Sequence, residues 1–130
     1  MADRSPGSAR AAATLLSIEA LGLAALAIWQ VVELITAKTT SIASAIALVV
    51  MTLMAAAAVG AFAYGVAAGR QWGRSGGIVT QVLVFAVAVG SVTGAYPHWG
   101  IALALALPAV IGFVLILRAA KDAAPPRDAR

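Results

Sequence analysis

Four long apolar runs separated by short polar breaks make up most of this chain. Residues 11–37 carry Glu19 and Glu33 as their only charges, and residues 42–68, 77–95 and 100–117 carry none. A helix rises about 1.5 Å per residue and the hydrocarbon core of a bilayer is roughly 30 Å thick, so each run is long enough to cross it. The runs are apolar on every side rather than along one stripe, which suits a helix solvated by lipid. The pattern predicts an all-α polytopic membrane protein, four transmembrane helices in an antiparallel bundle. It forms a single domain over 1–130, with polar tails at about 1–10 and 120–130.

The breaks are Lys38 to Ser41, the stretch Gly69 to Gln81 (GRQWGRSGGIVTQ), and Tyr96 to Trp99. The second is the most polar interior segment, and its glycines and arginines predict a loop lasting until the third span begins at Gly77. Small residues spaced four apart, Ala56 with Gly60, Gly65 with Gly69 and Gly90 with Gly94, permit close helix approach. Alanine is abundant throughout, so the same spacings also arise from composition alone. Pro108 removes a backbone donor near the middle of the fourth run and is expected to kink it.

Charge orients the bundle. Eight of the nine basic residues fall in the N-terminal tail, the Gly69 to Gln81 break or the C-terminal tail, and only Lys38 lies on the other side. The positive-inside rule then places both termini and the central break in the cytoplasm of a cell with the protein in its inner membrane. Arg70 and Arg74 fix that orientation, while Trp72 on one side and Tyr96 and Trp99 on the other read as interface anchors. A signal peptide is a competing reading of the first run, since Arg10 precedes it and Ala25 to Ala27 reads ALA. Glu19 and the length of the run argue against it.

Composition narrows the chemistry. The chain is 62% hydrophobic and 11% charged, against about 25% charged in a soluble domain. Its net charge of +4 sits at the ends of apolar runs, which points to the lipid bilayer as partner and away from nucleic acid. With no cysteine, disulfides, thiolate metal sites and cysteine nucleophiles are excluded. His98 is the sole histidine and makes no closed metal site with Glu33 alone. No histidine or lysine lies within the runs to activate a hydroxyl, so no catalytic residue, metal or cofactor is assigned and enzyme activity is not expected.

Glu19 is the informative residue, about 8 residues or 12 Å into the first span. At about 100° per residue, Gln30 and Glu33 lie within roughly 40° of it, so the three form a polar stripe expected to face inward. The first and third spans run in the same direction, which brings Gln81 to a depth where its amide can meet Glu19. Arg70, Arg74, Thr80 and Tyr64 are alternative partners, and Glu33 has Lys38 or His98 near the opposite surface. Glu19 then reads either as a protonatable carboxylate for proton coupling or cation binding, or as a hydrogen-bonding residue that sets helix register.

The pattern G-R-x-W-x-R-x-x-x-I-V-x-Q at Gly69 to Gln81, the first-span run LLSIEALGL at Leu15 to Leu23, and a last span ending in a basic tail carry a resemblance over nearly the whole chain. The chain resembles the small four-helix integral membrane proteins of actinobacteria, although Gly73 and the pair Gly76-Gly77 stand where alanine and a less flexible pair are expected. The resemblance implies an inner-membrane location and no particular activity. A more distant likeness, to small multidrug-resistance exporters, rests on four short spans and Glu19 in the first. The strong charge bias and the lack of a family motif in the other spans set the chain apart. The expected role is a non-enzymatic accessory or interaction protein packing on a larger membrane partner or on itself. The alternative is a small proton-coupled transporter using Glu19, working as a homodimer.

Overall fold

The computed structural model describes residues 7–38 and 40–125. Four helices follow one another: α1 (Gly7–Thr36), α2 (Ile42–Ala67), α3 (Gln71–Thr93) and α4 (Trp99–Asp122). Each is long and apolar enough to cross a membrane. They pack as a closed bundle in which α1 touches α2 and α4, and α3 touches α2 and α4, while the diagonal pairs meet only sparsely. The Ser8 hydroxyl donates to Asp122 Oδ2 at 2.6 Å, joining the start of α1 to the end of α4. Both ends of the described chain and the α2–α3 turn therefore share one end of the bundle, called here the terminal end.

Two helix boundaries differ from those predicted. Residues 7–10, expected in a tail, already belong to α1, and α4 runs on to Asp122 rather than ending near Leu117. The rest of each predicted tail, residues 1–6 and 126–130, lies outside the described residues. Alanine, a strong helix former, recurs at both ends, and between Leu117 and Ala123 no glycine or proline intervenes, so the helices continue past the apolar run.

The larger difference is at Gly69 to Gln81. Only Ala68, Gly69 and Arg70 stand between α2 and α3, and Trp72, Arg74 and the glycines from Gly73 onward are helical. The reversal is a Schellman-type stop: Gly69 N–H donates to Val66 O at 3.1 Å and Arg70 N–H to Gly65 O at 2.8 Å. Gly69 holds φ of +71°, the left-handed conformation that a side chain disfavours. The Arg74 guanidinium donates to Gly69 O at 3.0 Å across the turn. At the opposite end Ser41 caps α2, its hydroxyl accepting from Ser44 N–H at 3.4 Å. The α4 helix continues through Pro108.

Glycine makes the bundle tight near the terminal end. A Cβ on Gly65 would lie 2.8 Å from Gly73 Cα, and one on Gly73 would overlap the backbone of Gly65 and Val66. The α2 and α3 backbones are thus in direct contact, as small residues allow. Gly76 leaves room for the Phe62 ring. The buried core also gathers at this end, with Leu16, Val66 and Ile116 almost wholly enclosed among Ala12, Ala63 and Ala119. By contrast Gly90 has open space around it, so the Gly90 and Gly94 spacing is unused inside the bundle.

Candidate functional site

Gln81 is the most deeply placed polar side chain, 1% exposed, three turns into α3. Its amide Nε2 donates to Glu19 Oε2 at 2.8 Å. The bond joins α1 to α3, helices that otherwise scarcely touch. Helices of opposite direction alternate around the bundle, so α1 and α3 run in parallel and bring the two residues to equal depth. Glu19 is half-buried, and the Gln81 amide is its one side-chain partner among the described residues.

Two glycines shape the surroundings. A Cβ on Gly112 would lie 2.7 Å from Gln81 Cδ and 2.8 Å from Leu15 Cδ2, so the missing side chain in α4 is the space the amide occupies. One turn below, a Cβ on Gly77 would lie 2.9 Å from Ile116 Cδ1 and 3.2 Å from Leu16 Cδ1, placing the apolar floor directly under the pair. Neither Gly112 nor its contact was expected from sequence. The available signal was a glycine inside a long apolar run, where it weakens a helix unless something packs against it.

The pair is not fully satisfied. Glu19 Oε1 and Gln81 Oε1 are both buried without a hydrogen-bond partner, a state that normally disfavours burial. Other candidate partners are engaged elsewhere. Thr80 donates to Gly76 O within its own helix at 2.9 Å, and Arg74 to Gly69 O. Tyr64 is 71% exposed. Beside the pair, between α3 and α4, an apolar groove of about 260 Å³ is lined by Gln81, Phe85, Ala109 and Phe113 among others.

The inward stripe on α1 holds only in part. Glu19 turns into the bundle and Gln30 is half-buried, but Glu33 is exposed. Roughly 40° of rotation over four turns, close to the helix end, is enough to carry a carboxylate out to where it stays solvated. No ion pair or hydrogen bond joins Glu33 to Lys38 or His98 among the described residues; the backbone N–H of His98 donates to Ser91 O at 2.9 Å. Gln30 and Glu33 line a groove of about 250 Å³ between α1 and α2, together with Trp29, Leu34, Ala45 and Leu48. Gln30 Oε1 is buried there without a partner.

The aromatic residues divide. Trp72 is half exposed and packs edge-on to Phe62, ring centroids 6.3 Å apart, with its indole over Gly65. It therefore joins α3 to α2 as well as standing at a helix end. Tyr96 and Trp99 are 84% and 67% exposed at the opposite end, the disposition of interface residues. Arg70 is the N-cap residue of α3, with no capping bond from its side chain. Among the described residues no group of His, Asp and Glu is placed to hold a metal ion.

The arrangement can do two things chemically. It can lock the register of α1 against α3, and it can offer two unpaired oxygens to a proton or a donor. Searches among protein families, curated proteins and solved structures find no match to this chain.

Proposed function

We propose that this is a non-enzymatic accessory or interaction protein of the cytoplasmic membrane, with both termini and the α2–α3 turn on the cytoplasmic side. The observation that carries this reading is the direct Gln81 to Glu19 hydrogen bond in a glycine-packed centre. There the one deep carboxylate holds helices together, with Leu15, Leu16 and Ile116 packed close by. The large apolar side chains exposed on all four helices leave the outer surface to lipid and to other membrane helices. The fitting partner is a larger membrane protein or a second copy of this chain.

Purification in mild detergent followed by mass analysis tests it. A stoichiometric complex that survives Glu19→Gln is the expected outcome. A protein that remains alone, and changes the internal pH of liposomes, would defeat the proposal.

The unpaired oxygens of Glu19 and Gln81 favour one second reading, a small proton-coupled transporter in which Glu19 takes up and releases the proton. Proton movement in liposomes should then stop in Glu19→Gln while the bundle stays folded. Unchanged flux in that variant removes this reading.

A further inference from the structure

The groove between α1 and α2 at the end opposite the termini has a chemistry of its own. Its walls are apolar, from Leu34, Ala45 and Leu48, and its volume is about 250 Å³. Two acceptor-bearing side chains line it: Glu33, which has no ion-pair partner among the described residues, and Gln30, whose Oε1 is buried behind the surface and unpaired. Trp29, 64% exposed, forms the remaining side. No cationic side chain lines the groove, and its only N–H-bearing side chains are Gln30 and Trp29. An anion on one side, an unpaired carbonyl oxygen beside it and an aromatic ring together select a cation that carries hydrogens.

The position of the groove decides which cation. Glu33 lies within one turn of the end of α1, at the level where a spanning helix meets headgroups, and both helices that line the groove expose large apolar side chains. We infer that this groove binds the ammonium headgroup of an aminophospholipid of the phosphatidylethanolamine class, in the leaflet on the side of the α1–α2 turn. The ammonium donates to the Glu33 carboxylate and, with the Gln30 amide turned toward the groove, to its Oε1, and lies beside the Trp29 ring. The first part of the lipid follows the Leu34 and Leu48 wall. A choline headgroup has no N–H to give, so it leaves Gln30 Oε1 unpaired. The site is independent of the Glu19 and Gln81 pair, and the inference stands whether or not the protein has a protein partner.

The experiment is native mass spectrometry of the full chain released from micelles holding equal amounts of phosphatidylethanolamine, phosphatidylcholine and phosphatidylglycerol. Retention of phosphatidylethanolamine should exceed that of phosphatidylcholine by roughly ten-fold, the size of one charge-assisted hydrogen bond. Glu33→Gln and Gln30→Leu should each reduce that preference severalfold, with helix content and thermal midpoint in detergent unchanged. Equal retention of the three lipids overturns the inference. So does a preference that persists in both variants, and so does binding of a soluble long-chain amine without binding of phosphatidylethanolamine.

Discussion

At the scale of single residues, the centre of the bundle turns on Gln81 and what surrounds it. Removing its amide in Gln81→Leu leaves the Glu19 carboxylate buried with no donor, and should destabilise the protein by about 1–3 kcal/mol. Replacing both residues with leucine removes the unsatisfied group and should recover much of that loss. A double-mutant cycle by reversible unfolding in detergent should give a coupling of about 0.6–2 kcal/mol, and strict additivity would show that the bond contributes nothing. Gly112→Ala should behave like a weakened Gln81→Leu, because the new methyl would meet the amide at 2.7 Å. The two ends of this hydrogen bond were legible in the sequence, since depth and chain direction alone bring Glu19 and Gln81 level. Gly112 was not, because a cavity filled from another helix leaves no trace in the periodicity of its own. Glu33 shows the same limit: helical angle placed it beside Glu19, but burial is decided by where the neighbouring helix ends.

At the scale of elements, the segment Gly69 to Gln81 shows what glycine spacing means in an apolar chain. Taken as composition it reads as a loop, yet Gly73, Gly76 and Gly77 recur at helical intervals and each meets another helix: Gly65, Phe62, and Leu16 with Ile116. Only Gly69 is a glycine of backbone conformation. The existence of all four helices was legible from apolar length, but the start of α3 was not, because the glycines that pack helices and those that end them look alike. Two substitutions separate these roles. Gly69→Ala should lower stability by about 1–2 kcal/mol, the left-handed penalty, while leaving helix contacts intact. Gly73→Val has no space against the α2 backbone and should cost more, with α2 and α3 forced apart. Cross-linking yield between engineered cysteines on α2 and α3 measures this: it should be retained in the first variant and fall in the second. Equal yields would show that the close approach is dispensable.

At the scale of the whole molecule, the bundle is unequal end to end in both packing and charge. The buried core lies toward the terminal end, around Leu16, Val66 and Ile116, and the same end carries Arg10, Arg70, Arg74, Arg118 and Lys121. The opposite end has Lys38 as its one basic residue among the described ones, with exposed Tyr96 and Trp99 beside it. A bilayer translocates a basic segment reluctantly, so this difference should give one orientation, terminal end inward. The chain has no cysteine, which makes single-cysteine labelling unambiguous. Thr40→Cys, in the α1–α2 turn, should react with a membrane-impermeant maleimide in intact cells, whereas Gln71→Cys should react only after the membrane is opened. Shifting the charge balance tests the cause as well as the result. Neutralising Arg70, Arg74, Arg118 and Lys121 while adding two lysines beside Lys38 should make a fraction of molecules label at Gln71→Cys from outside. If labelling keeps the original pattern after that change, orientation is set by something other than these charges.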